Sequence, residues 1–195
     1  AKALADRGTP AGRVNAIRLY EQALTVAPDE ARAWGGLGRI YFVQAVNGEI
    51  ERLDGARRAR EAIDRALMLE PRSSTALALR ARIASDFDLD LPAAARYLQQ
   101  SLEADSSNLA AINNAATLLE YVGRIDEAVV LYEYRTSRDP MNAAALMNLA
   151  TAYARARRWD DAIAAYRELL QLSPGYAAAS ASLGEVLLAG KGDAA

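Results

Sequence analysis

The chain contains no histidine and no cysteine. Ser-His-Asp and Cys-His catalysis, thiol redox chemistry and every zinc site built on imidazole or thiolate are thereby excluded. Lysine is almost missing too. Of 23 basic residues only Lys2 and Lys191 are lysines, so cationic contacts fall to arginine, the better fork for carboxylates. A formal charge of −2 exerts no global pull toward nucleic acid or anionic lipid. No segment approaches about 18 uninterrupted apolar residues, and no signal-like run follows Ala1, so a soluble piece of a longer protein is expected. The β-branched and aromatic runs that mark strands are missing as well. Alanine takes their place: it supplies much of the 52% apolar fraction, favours helix and lets helices pack closely. An all-α protein of one large or two small domains is the result.

Glycine and proline then organise the chain. The stretch ARAWGGLGRIYF (31–42) places Gly35, Gly36 and Gly38 in an otherwise helical segment, where each costs about 1 kcal/mol relative to alanine and needs a reason. Prolines 28, 71, 140 and 174 close four similar phrases, EQALTVAP, DRALMLEP, YEYRTSRDP and RELLQLSP, and QQSLEADS is a fifth copy with Ser106 in proline's place. Proline cannot continue a helix and holds its predecessor out of the α region, so these are stop signals between units. Their spacings are 43, 35, 34 and 34 residues.

Within this period Trp34, Leu37, Gly38 and Tyr41 open a unit, and Ala16, Tyr20, Ala23 and Pro28 close the one before it. Further on, Leu146, Leu149, Ala150 and Tyr153 open, and Ala162, Tyr166 and Pro174 close. The pattern resembles the tetratricopeptide repeat (TPR) family. That resemblance implies an all-α fold, an α-solenoid of antiparallel helix pairs wound into a right-handed superhelix. The array runs over 1–195 as a partial repeat 1–28, repeats 29–71, 72–106, 107–140 and 141–174, and a partial repeat 175–195. Residues 1–10 read as the remnant of a first helix. At Gly38 a small residue admits the paired helix, and Ala81, Ala116, Ala150 and Gly184 fall at the same place. Gly35 and Gly36 are expected to leave a bare, shallow patch.

Three departures stand out. Unit two carries about nine extra residues in QAVNGEIERLDGARR, where Asn47-Gly48 and Asp54-Gly55 signal turns. Unit three offers Arg80 and Ala84 where the motif has leucine and tyrosine. Arg135 stands at a small-residue position, so its stem is expected to cover the seam while the guanidinium escapes to water. SDFDLDLP (85–92) is similar to the start of a calcium loop, but Leu91 and Tyr97 stand where glycine and glutamate are needed. It reads as a solvated turn, with Asp90 or a neighbour capping the helix near Pro92. Arg57, Arg58, Arg60 and Arg65 are interleaved with Asp54, Glu61 and Asp64, as on an ordinary exposed face, with Glu61 and Arg65 one turn apart. Tyr20, Tyr132, Tyr153 and Tyr166 are core by period.

The TPR resemblance turns certain first-helix positions toward a concave groove: Arg32, Arg39 and Val43, then Thr75 and Arg82, then Asn113, Asn114, Thr117 and Tyr121, then Met147, Asn148, Thr151 and Arg155. Arg39 and Arg82 share one motif position, Asn114 and Asn148 a second, Thr117 and Thr151 a third. Asparagine offers an acceptor and two donors, the complement of a peptide group. The expected function is therefore a non-catalytic scaffold that binds an extended peptide or partner domain, with no cofactor or metal, no nucleic acid and no membrane insertion. The alternative is an input or oligomerisation module of a longer bacterial signalling protein such as a cyclase or winged-helix regulator, or a periplasmic segment of an export machine. Bacterial cytoplasm and periplasm both suit a cysteine-free chain. At the C-terminal end Leu183, Val186, Leu187 and Leu188 are expected to stay uncovered and to promote self-association.

Overall fold

The computed structural model describes residues 9–192, and the expected remnant first helix lies almost wholly outside them. Ten α-helices, and no strand, occur among the described residues: α1 Pro10–Val26, α2 Ala31–Val46, α3 Arg52–Leu69, α4 Ser74–Asp86, α5 Leu91–Ala104, α6 Leu109–Tyr121, α7 Ile125–Arg138, α8 Ala143–Arg155, α9 Trp159–Leu172 and α10 Ala177–Gly192. The chain is an all-α solenoid of the helix-pair kind. It divides into two compact units, Ala1–Ala111 and Ile112–Ala195.

Short polar side chains start four of these helices by accepting first-turn amide hydrogens. Thr9 accepts from Gly12 N at 3.1 Å with Pro10 at the first position. Asp90 accepts from Ala93 N at 2.9 Å, with Pro92 in the first turn, as its position implied. Asn108 and Asn142 do the same for α6 and α8. The extra residues of unit two go into longer helices, 16 residues in α2 and 18 in α3 against 13 and 14 in α8 and α9. Asn47-Gly48 is a turn, with Gly48 at φ +69°. Asp54-Gly55 is not. Glu51 accepts from the amides of Leu53 and Asp54 and starts α3 ahead of that dipeptide, and Gly55 is buried where an added Cβ would lie 2.6 Å from the Ala45 Cβ.

In the first unit, the closest approach falls at the glycines of α2. A Cβ on Gly38 would meet Ile63 at 2.6 Å and the Ala59 carbonyl at 3.2 Å, so α2 and α3 touch nearly backbone to backbone. Gly36 is no bare patch: a Cβ there would fall 2.4 Å from the Tyr20 ring, which occupies the space. Gly35 alone faces open space. Ala59, Ile63 and Ile83 form one buried cluster and Leu24, Ala33, Leu37 and Ala62 another. The arginine-for-leucine exchange at Arg80 is satisfied electrostatically. Its guanidinium reaches Asp64 at 2.9 Å and Asp88 at 3.2 Å and lies 5.2 Å from the Tyr97 ring centroid, while Ala84 is buried. Phe42 and Phe87 meet edge to face at 5.5 Å between Arg82 and Arg52. Across the base of α1, Arg13 is buried and pairs through two nitrogens with Glu49.

In the second unit Ala116, Ala128, Val129, Tyr132, Leu149 and Ala152 form one cluster, and Leu146, Ala150, Ala162, Tyr166, Leu169 and Val186 anchor the next. Tyr132 and Tyr166 are core, as their period implies; Tyr20 and Tyr153 are half-buried. Val186 is buried against α9, contrary to expectation, because helical spacing turns it inward; Leu188 remains 75% exposed and Leu187 37%. Arg135 also departs from expectation. Its Nε and Nη1 are buried without a hydrogen-bond partner, so these two nitrogens do not reach water, and burial pulls its pKa down.

Candidate functional site

The first helices α6 and α8 carry four of the expected groove positions each, and one pair of these is joined directly. Asn148 Nδ2 donates to Asn113 Oδ1 at 2.9 Å. This bond joins 113 with 148, one position away from the motif-equivalent pair 114 and 148. Asn114 is half-buried beside it. A side-chain amide has three valences beyond one such bond. The bond uses one Asn148 N–H and one acceptor site of the Asn113 side-chain oxygen.

Thr117 and Thr151 are built alike, and both face inward on their chemistry. Thr117 Oγ1 lies 3.1 Å from the Asn113 carbonyl and 3.0 Å from the Tyr132 hydroxyl; Thr151 Oγ1 lies 2.8 Å from the Met147 carbonyl and 3.2 Å from the Tyr166 hydroxyl. Each threonine hydroxyl so clasps a first helix to the buried tyrosine of its second helix, which leaves its single proton committed within the fold. The Tyr132 hydroxyl in turn donates to Glu120 Oε2 at 3.1 Å, and Glu120 Oε1 receives Arg155 Nη1 at 2.9 Å. Glu120 is 9% exposed and Arg155 is 55% exposed, so a shielded carboxylate orients an exposed fork. Tyr121 is half exposed at the end of α6. Behind this face the Tyr153 hydroxyl donates to Glu133 at 2.8 Å, and burial followed by that bond pushes its pKa up to about 12.

In the first unit the expected arginines are arranged differently. Arg82 Nε reaches Asp86 at 2.7 Å, one helical turn on, and its guanidinium carbon lies 5.9 Å from the Phe42 centroid. That pairing and stacking were invisible at the level of motif positions because Asp86 and Phe42 belong to no groove position. Arg39 is half-buried. Asp86 and Asp88, read as a possible calcium loop, are taken by arginines: Asp86 by Arg82, Asp88 by Arg60 and Arg80. No group of three acidic side chains among the described residues is placed to hold a metal ion. The arginine-rich face of α3 is paired throughout, Arg57 with Asp54 and Glu61, Arg58 with Asp54 and Arg65 with Asp29, so Glu61 joins Arg57 and not Arg65. The first unit also carries a groove of about 490 Å³ between α1, α2 and α3, and none of the groove positions named from sequence lines it. No described helix is long and apolar enough to cross a membrane.

Antiparallel helix pairs at a period near 34, with small residues at the crossings, define a helical repeat scaffold. The chain belongs to the tetratricopeptide repeat family, whose model matches residues 15–57, 113–177 and 152–195. Similar solved structures include TTC0263, a thermophilic TPR protein of Thermus thermophilus, at 19% identity over 96% of each chain with a TM-score of 0.71. PilF of Pseudomonas aeruginosa matches at 21% identity over 84% of this chain and 70% of that one, with a TM-score of 0.68. YrrB, described as a TPR protein with an unusual peptide-binding site, matches at 20% identity over 87% and 82%, with a TM-score of 0.58. At such identities these likenesses establish the fold. No curated protein matches the sequence. As a member of this family the chain is a protein-interaction scaffold, and such repeats are in general non-catalytic.

Proposed function

We propose that the protein acts as a non-catalytic scaffold that holds an extended peptide on the α6–α8 face of its second unit. The observation that carries this reading is the Asn148 to Asn113 bond, since two joined amides still carry an NH₂ donor and a carbonyl acceptor beyond the one bond they share. An extended peptide offers a carbonyl and an amide N–H to such a pair without regard to its side chains. Arg155 then supplies selectivity. It lies seven residues beyond Asn148 on α8, about 10 Å along the axis, or roughly three residues of extended chain. A ligand with an acidic residue or terminal carboxylate three places from the amide-bound group fits both contacts. Arg39 and Arg82 enter this reading only as charges of the first unit; Arg82 is bound to Asp86 as Arg155 is to Glu120. The lining is short of aromatic anchors, so affinity is modest, roughly micromolar. The test is a peptide-display selection on the intact chain followed by calorimetry of a selected peptide. Asn113→Ala with Asn148→Ala should weaken binding about tenfold or more, and Arg155→Ala should weaken it and flatten its salt dependence. A selected peptide that binds all these variants like the parent places recognition elsewhere.

A further inference from the structure

The groove of the first unit has its own chemistry. Its floor is a stripe of α2, Trp34, Leu37 and Tyr41, spaced at one and two helical turns, and its walls are α1 and α3. The two walls do not close over the stripe, so a space of about 490 Å³ stays open above Leu37, with Leu24 at its side. The Trp34 indole N–H is committed to the Pro28 carbonyl at 2.8 Å, which fixes the ring and leaves only its π surface to a ligand. Two carboxylates, Glu21 from α1 and Glu61 from α3, stand on opposite walls. The cation in the lining, Arg58, pairs at 2.7 Å with Asp54, which Arg57 shares, and lies 5.8 Å from the Tyr41 ring centroid. Burial, and next the Glu21 carboxylate beside it, raise the pKa of the Tyr41 hydroxyl, which remains a donor toward that wall.

We propose that this groove is a second binding site that takes an arginine side chain from a partner protein, flanked by apolar residues. An aliphatic stem lies over the half-buried Trp34 and Tyr41 side chains, since Leu24 and Leu37 beneath them are already buried. The planar guanidinium stacks on Trp34 and forks to Glu21, an arrangement that joins cation–π attraction to a charge-assisted hydrogen bond. Glu61 adds field from the far wall. Its pair with Arg57 at 2.9 Å, both side chains more than half exposed, is a weak, solvent-screened contact and yields to a better-placed cation. Lysine fits less well, since a compact, strongly hydrated ammonium gains little from stacking. An acidic side chain is repelled by the two carboxylates and is left with Arg58, which Asp54 and the Tyr41 ring already engage. The site lies within the first unit and is separate from the peptide face of the second.

The test uses the full chain and two short peptides, acetyl-Leu-Arg-Leu-amide and its citrulline counterpart, which keeps the shape and drops the charge. In nitrogen-15 NMR titrations the Trp34 indole N–H and the amides of Leu24, Leu37 and Ala62 should shift saturably with the arginine peptide. Affinity should fall about tenfold with citrulline or in Glu21→Gln, the worth of one charge-assisted hydrogen bond, and fall further in Glu21→Gln with Glu61→Gln. Trp34→Phe, which keeps an apolar ring but a weaker π surface, should weaken it less. Asn113→Ala with Asn148→Ala should leave it unchanged. Equal binding of the arginine and citrulline peptides would make the groove a simple apolar patch and overturn the proposal, as would an unmoved Trp34 resonance at the highest soluble peptide concentration.

Discussion

Arg135→Met should make the protein more stable. Arg135 sits at a position where the repeat accommodates a small side chain, and its Nε and Nη1 are buried with no hydrogen-bond partner. An unsatisfied buried donor costs about 1 to 3 kcal/mol, more on a charged group; two of them set the penalty at about 2 kcal/mol or above. Asp139 and Tyr132 lie close enough to favour the charged form, but burial outweighs both in lowering the pKa. Methionine keeps most of the aliphatic stem and removes both donors, so a gain of about 2 kcal/mol is expected. For about 190 residues that corresponds to roughly 4 to 8 °C in melting temperature. Arg135→Ala should gain less, because it gives up about 0.8 kcal/mol for each buried methylene and leaves a cavity. Repeat chains depart from two-state unfolding, so the measurement is urea melting combined with hydrogen exchange of α7 and α8 amides. Protection should rise there first. If Arg135→Met lowers both the midpoint and the protection of α8, the guanidinium has a partner in solution and the accounting is wrong.

Three further outcomes are expected. Arg13 holds the Glu49 carboxyl below its ordinary value of 4.5; a depressed carboxyl stabilises the fold above its unfolded pKa and loses that contribution as pH falls through the folded value. Glu49→Gln should therefore be less stable than the parent at pH 7 by about 1.5 to 3 kcal/mol and converge with it in melts near pH 3, and a constant gap across that range would refute the pairing. Gly123 and Arg157 occupy equivalent turns at φ +78° and +60°, so Gly123→Ala should cost about 1 kcal/mol and Arg157→Gly should gain up to as much, with opposite signs in chemical denaturation. Leu187→Ser with Leu188→Ser should abolish any concentration-dependent rise in light scattering by the parent; scattering that persists assigns self-association to another surface.

The repeat was legible because its punctuation is local. A proline that stops a helix, or an Asn or Asp that starts one, acts within four residues, and Asn108 and Asn142 cap α6 and α8 where the period puts them. Gly38 was legible for a related reason: its close approach to Ile63 is fixed by the motif itself. What failed depended on partners from outside the pattern. Gly36 makes room for Tyr20, a contact set by how α1 lies on α2. Asp54-Gly55 has a turn's composition, yet Glu51 had already started the helix. In the candidate site, the bond between Asn148 and Asn113 depends on how the neighbouring helices are offset, and motif positions carry no record of that offset.

The polar contacts of the second unit differ in what they join. Thr117 to Tyr132 and Thr151 to Tyr166 each bind the two helices of one pair, across 15 residues of sequence, whereas Asn148 to Asn113 and Arg155 to Glu120 bind one pair to the next, across 35. Bending between pairs strains the second set and leaves the first intact. The asparagine bond and the arginine bond are thus struts across a joint, and they sit on the face where a peptide is proposed to lie. A ligand that bridges Asn113, Asn148 and Arg155 would add a third strut in parallel. Occupancy would then be transmitted as stiffness of the joint, with no rearrangement inside either helix pair.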